Sequence, residues 1–314
     1  MIASLTDPGV RRPLHPDFLW STWIRRFPSV EARWAPDATV EHSEIGRFRV
    51  RLPGLGAATG MVHVTARWTP TDSCNVVGDW AEGRDQVVDV ACCNAGGDLT
   101  EGRFALFVAK PSHGSTPLAV IAPGVRFTST GADIQVARTG PGEYAATIAD
   151  SAFDGFGHIQ LTTADTAPTR CHPVGTAGTL TIRVSCHDIR SGAPTDADWH
   201  LTYVQGGPLH HDPTAAGTTV DTDGKVITRF HDSAGQPPTL AHPRVGSYSV
   251  KVPTAGNAPV YPADSVQVTP LGPSTSHCAP VDWNVSTSEV QILCRDRANV
   301  PTDTPFSLSY LPVP

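Results

Sequence analysis

Gly46-Arg47-Phe48-Arg49-Val50-Arg51-Leu52-Pro53, then Val62-His63-Val64-Thr65, Cys74, Val88-Asp89-Val90-Ala91-Cys92 and Phe104-Ala105-Leu106-Phe107-Val108 make up the stretch on which the fold turns. Each piece is built on apolar residues at every second position, the signature of a half-buried strand. The same landmarks return twice more in the same order. Gly142-Glu143-Tyr144 and Gly246-Ser247-Tyr248 repeat the first, and Pro253 again closes the third copy of that strand. Ile159-Gln160-Leu161-Thr162 and Val266-Gln267-Val268-Thr269 repeat the second, and nine positions after each Thr comes Cys74, Cys171 or Cys278. The runs from Ile182 to Cys186 and from Val290 to Cys294 repeat the third. An aromatic strand follows 12 or 13 positions later, Trp199-x-Leu201-x-Tyr203 and Phe306-x-Leu308-x-Tyr310 in the later copies. Four landmarks in register three times signal an internal repeat of about 100 residues.

No segment carries a sustained 3.6-residue period, and each copy offers about seven short alternating runs separated by turn residues. The expected fold is all-β, with three tandem antiparallel β-sandwich units of immunoglobulin-like or jelly-roll-like type. Unit 1 is expected over 1–110 with an N-terminal extension, unit 2 over 111–205, and unit 3 over 206–314. Unit 3 carries extra residues around Asp221-Thr222-Asp223-Gly224, read as an inserted hairpin. The polar, turn-rich 111–116 and 206–213 mark the boundaries.

Composition agrees with this reading and removes several alternatives. The 314 residues include 28 Gly and 29 Pro, and only 17% are charged. Many short strands need many turns, whereas long surface helices need more Glu, Lys and Arg. No run approaches the length of apolar sequence that a membrane-spanning helix requires, so no membrane insertion is expected. The net charge of −7 disfavours nucleic acid as a partner. Basic residues are nearly all arginine, and they are scattered along the chain rather than clustered.

Six of the seven cysteines fall at landmark positions, pairing as Cys74/Cys92, Cys171/Cys186 and Cys278/Cys294, with separations of 18, 15 and 16. One cysteine on each of two successive strands, three times over, fits one disulfide per unit better than a zinc site, which would need four convergent ligands. On the chain-entropy account each loop closure stabilises its unit by about 3 kcal/mol. Persistent disulfides need an oxidising compartment, so the expected location is secreted or extracellular, with a signal peptide already removed. Cys93, next to Cys92, points to the opposite strand face; it reads as a small buried residue, an intermolecular disulfide or a reactive thiol.

The string Gly-x-aromatic-x-Val-x-Leu-Pro, Val-x-Val-Thr, Cys, Val-x-Val-x-Cys, aromatic-x-Leu-x-Tyr resembles a repeat of exported actinobacterial proteins of unknown function. The match covers about 60 residues of each unit; the second lacks the closing Pro and a Trp where the others have Trp80 and Trp283. The Gly-x-aromatic hairpin is also similar, more weakly, to small jelly-roll domains of phage tail fibres, which trimerise. That likeness implies a pseudo-threefold arrangement of the three units. Neither family supplies catalytic residues.

The candidate binding residues are aromatic. Trp80 and Trp283 follow a landmark cysteine by six and five residues, each preceded by an acid, Asp79 and Asp282. They read either as packing against the disulfide or as sugar-stacking platforms with a carboxylate to accept hydroxyl bonds. Trp20 and Trp23 precede the first landmark and read as a capping strand or an interaction surface, while Trp199 takes a core-strand position. Histidines cluster at His210-His211-Asp212, His231 and His242, but no metal site is expected; His210, His211, Asp212 and His231 are the residues that could furnish one. His172 and His187 flank the second cysteine pair, and Asp196/Asp198 and Asp221/Asp223 read first as turn residues and second as calcium ligands. No nucleophile elbow, phosphate loop or His-Glu-x-x-His motif is present, so no catalytic residue is assigned and no cofactor is expected.

The functional expectation is an extracellular, non-catalytic binding or structural protein that associates with a glycan or a cell surface. The competing expectations are a secreted hydrolase with a single-copy site between units or in unit 3, and a subunit of a larger extracellular assembly. Like exposed Trp or Asp groups on two units would mark a multivalent binder, and one polar single-copy cleft would mark an enzyme.

Overall fold

The computed structural model describes residues 2–3, 38–56, 60–69, 72–109, 117–153, 157–177, 180–205, 216–221, 226–230, 238–252, 265–273, 275–284, 287 and 289–311. Among these residues every element is a β-strand. The first stretch contains β1 (Ile2–Ala3), β2 (Thr39–Glu44), β3 (Arg47–Leu52), β4 (Met61–Arg67), β5 (Ser73–Glu82), β6 (Asp85–Cys93) and β7 (Arg103–Ala109). The second contains β8 (Leu118–Ala122), β9 (Val125–Thr128), β10 (Ile134–Gly140), β11 (Glu143–Ile148), β12 (His158–Ala164), β13 (Thr169–Ala177), β14 (Thr181–Asp188) and β15 (Asp198–Val204). The third contains β16 (Ala216–Val220), β17 (Val226–Phe230), β18 (Thr239–Arg244), β19 (Ser247–Lys251), β20 (Ser265–Pro270), β21 (His277–Asn284), β22 (Glu289–Arg295) and β23 (Phe306–Leu311).

One strand order appears three times, as β2-β3-β6-β5, β10-β11-β14-β13 and β18-β19-β22-β21. A second order also recurs, as β9-β8-β15-β12 and β17-β16-β23-β20, with β1-β7-β4 in the first stretch. A single parallel pairing, Val76 with Ala164, joins β5 to β12 and fuses two of these sets into an eight-stranded sheet. Side chains from both sets of each stretch fill a hydrophobic cluster of their own. Phe48, Val90 and Leu106 belong to the first, Ile182, Trp199 and Leu201 to the second, and Tyr248, Ile292 and Leu308 to the third.

The landmarks have local physical causes. Gly46, Gly142 and Gly246 have φ of +72°, +65° and +66°. A Cβ there would lie 2.6, 2.3 and 2.4 Å from the carbonyl oxygens of Cys92, Cys186 and Cys294. Only glycine combines that left-handed turn with so close an approach. The cysteines stand directly opposite one another in register, Cys74 with Cys92, Cys171 with Cys186 and Cys278 with Cys294, and all three disulfides form.

β4, β12 and β20 depart from the half-buried expectation. Alternation in β22 leaves every second residue partly exposed, whereas β4 is buried at all seven positions. The polar members of these strands meet one another instead of water. Thr65 Oγ1 donates to Gln267 Oε1 (2.8 Å) and accepts from the Val268 N–H (3.2 Å). Thr162 Oγ1 accepts from the Val64 N–H (3.1 Å) and contacts His63 Nδ1 (3.3 Å). Thr269 Oγ1 donates to Gln160 Oε1 (2.7 Å) and accepts from the Leu161 N–H (3.0 Å). The third stretch thus receives the Thr of the first, the first that of the second, and the second that of the third. Each landmark Thr satisfies a buried backbone donor, and the cycle closes.

Candidate functional site

The register of β5 and β21 decides what the two candidate tryptophans can do. Both strands bulge two residues after the landmark cysteine, between Val76 and Gly78 and between Pro280 and Asp282. Beyond the bulge, Asp79 pairs with Val88 and Trp80 with Val87, whereas Trp283 pairs with Val290. Val88 and Val290 both lie four before their cysteine, so Trp283 occupies the position of Asp79, not of Trp80. One residue of offset turns a strand side chain to the other face. Accordingly Trp80 is 38% exposed and Trp283 only 8%. The Trp283 ring is covered as well: the Arg67 guanidinium carbon lies 3.4 Å from its centroid. Of the two readings, packing beside the disulfide holds for Trp283, which shares a buried cluster with Cys278 and Cys294, and the platform reading is left to Trp80 alone of the pair.

Trp80 lines a cleft of about 590 Å³ where β5 meets the β8–β9 turn and the β12–β15 pair; Gly78, Asp79, Pro123, Asp198 and His200 complete its chemically distinctive wall. Asp198 and His200 are two apart on β15 and so share a face. His200 is 3% exposed, its Nε2 is 3.3 Å from Asp79 Oδ1, and neither ring nitrogen has a well-aligned hydrogen bond. A buried imidazole without an aligned hydrogen bond is costly and needs a physical reason. On the outer side, Arg49 reaches the Trp80 ring at 5.2 Å while Asp89 holds its guanidinium by two bonds of 2.7 and 2.8 Å. Asp79 and Trp80 are consecutive on β5 and point to opposite faces, so the cleft runs along the edge of that strand, with the indole on one side and Asp79 beside His200 on the other.

The remaining candidates fall elsewhere. Asp282 is exposed on β21, near Arg67. Arg67 joins the first and third stretches: its guanidinium also lies 4.4 Å from the Trp68 centroid, and the Trp68 N–H donates to Pro280 O. Burial lowers Arg67 to a pKa of about 9, and Trp68 holds a left-handed φ of 68°. His172 and His187 meet edge to face at 5.2 Å beside the second disulfide, buried rather than on the surface. Asp196 does not serve a simple turn; it accepts from the Gly142 N–H, Tyr144 Oη and Arg138. Asp303 does the same for Gly246, Tyr248 and His242. Cys93 is buried and free, and burial pushes its thiol pKa up, which argues against a reactive thiolate. Trp20, Trp23, His210, His211, Asp212 and His231 lie outside the described residues. Among the described residues no three His, Cys, Asp or Glu side chains are placed to hold a metal, and no helix is long and apolar enough to cross a membrane.

From sequence, His200 carries no binding role and Asp198 reads only as a turn residue or, second, a calcium ligand, not as a wall of this cleft. The available signal was parity: six residues separate Cys74 from Trp80 and five separate Cys278 from Trp283, so the two cannot share a face across like bulges. No protein-family model, curated protein or solved structure matches the chain.

Proposed function

We propose that this chain is an exported, disulfide-stabilised glycan-binding protein whose saccharide lies in the cleft beside Trp80. The observation that carries the reading is the cleft itself: a half-exposed indole, two carboxylates and a buried imidazole without an aligned hydrogen bond around about 590 Å³. That volume suits a few sugar rings, and stacking with a hydrogen-bonding rim is how apolar sugar faces are recognised. Binding is monovalent, since the Trp283 position is closed. Three cross-strand disulfides support an oxidising compartment.

In this reading the fold is three tandem β-sandwich units, 1–110, 111–205 and 206–314, closed into a covalent pseudo-trimer. The recurring strand orders, the three separate clusters and the cyclic bonds of Thr65, Thr162 and Thr269 support it. The likeness to exported actinobacterial repeats and to trimeric tail-fibre jelly rolls points the same way by pattern alone. The cleft then lies at the joint of units 1 and 2.

A glycan array tests the function. Wild type should retain a defined set of saccharides, and Trp80→Ala should lose them with its melting temperature kept. Retention by Trp80→Ala, or no retention by wild type, would remove the reading. A secreted hydrolase is the second reading, favoured by the 3.3 Å approach of Asp79 to His200 with Asp198 on the same wall. Release of reducing ends from the retained glycan, abolished in Asp79→Asn, would decide for it.

A further inference from the structure

The glycan reading leaves open what kind of saccharide the cleft takes, and the charges around it narrow the answer. Among the described residues its lining contains Asp79, Asp198 and His200 and no lysine or arginine. The two arginines nearby are already engaged. Arg49 is clamped by both oxygens of Asp89. Arg126 Nη1 donates to the carbonyls of Ala122 and Val125, both at 2.7 Å, and lends only its field to Asp198. Asp79 is paired with nothing stronger than the edge of the His200 ring, at 3.3 Å without hydrogen-bond alignment. The cleft lining therefore holds two carboxylates and no lysine or arginine, beside the strand that carries Trp80.

We propose that the bound saccharide carries a positively charged amine, so that the ligand class is an amino-sugar oligomer; this rests on the glycan reading of the cleft. An ammonium group has three donors and no acceptor. It would meet one carboxylate oxygen on Asp79, one on Asp198 and a ring nitrogen of His200 that has no aligned hydrogen bond within the protein. A neutral hydroxyl reproduces the hydrogen bonds but not the charge balance, and an N-acetyl group removes the charge and adds bulk.

Calorimetric titration with three hexasaccharides of the same β-1,4 linkage tests this at pH 7: glucosamine, N-acetylglucosamine and glucose oligomers. The glucosamine oligomer should bind at least about tenfold more tightly than either other, a gap of about 1.4 kcal/mol. The gap should shrink in high salt. In Asp79→Asn it should fall to about twofold, whereas Asp133→Asn, which makes the same change of net charge on the exposed β9–β10 connection, should leave it intact. Equal or tighter binding of the acetylated or neutral oligomer by wild type overturns the inference while leaving the glycan reading standing. An unchanged ratio in Asp79→Asn also overturns it. If no oligomer binds and the array is blank, both fall together.

Discussion

Acid should unfold this protein well above the pH at which its carboxylates titrate, because four histidines are locked inside it as neutral bases. Burial lowers His63, His158 and His172 to about 3 and His187 to about 4, from 6.5 in an open chain. All four are at most 4% exposed. His158 is held by Ser307 Oγ (2.9 Å) and Ser309 Oγ (2.6 Å), and His63 Nε2 by Thr202 Oγ1 (2.7 Å), so neither ring can turn out to water without breaking the interior. Between pH 6.5 and about 4 the unfolded chain therefore binds protons that the folded chain refuses. A state that binds more protons gains as pH falls, so stability drops through this window. At pH 5 each site costs about 2 kcal/mol and the four together about 8, set against the 5–15 kcal/mol typical of a whole domain. The lowered carboxylates Asp188, Asp196 and Asp303 start below 3.8 and contribute only at lower pH. Urea denaturation at pH 8, 6 and 5, with the disulfides intact, measures the effect. The slope near pH 5.5 should correspond to uptake of about four protons on unfolding, and His172→Gln should remove about one of them. A stability that changes by less than about 2 kcal/mol from pH 8 to pH 5 would refute the reasoning.

Two further outcomes follow from particular contacts. Gly142→Ala places a Cβ 2.3 Å from the Cys186 carbonyl at a φ of +65°, and should lower stability by about 2 kcal/mol or more, seen as a drop in melting temperature; an unchanged melt would mean that the hairpin relaxes freely. A thiol-specific reagent should find no reactive cysteine in the native protein and a single one, Cys93, after denaturation without reductant; prompt native labelling would contradict its burial.

Much of the local structure was legible because it depends on neighbours in sequence. Alternation sets strand faces, the glycines mark turns that other residues cannot make, and cysteines at matching strand positions meet when those strands pair. The candidate site was legible only in part. Trp80 and Asp79 stood out by type, but treating Trp283 as the twin of Trp80 missed the parity across the bulge. His200 looked like any strand residue, since its significance depends on Asp79, 121 positions earlier.

The sequence by itself determined the strands, the turns and the three disulfides, since each follows from residue type and short spacing within one copy of the landmarks. Tertiary structure alone decided which polar strand faces meet water. His63, Gln160, Gln267 and their neighbouring threonines alternate like solvent-facing residues, yet they are buried because the partners that satisfy them come from the other stretches of chain. The cleft has the same origin. It exists only where β5 of one stretch meets β8, β12 and β15 of the next, and no local period encodes a contact across about a hundred residues.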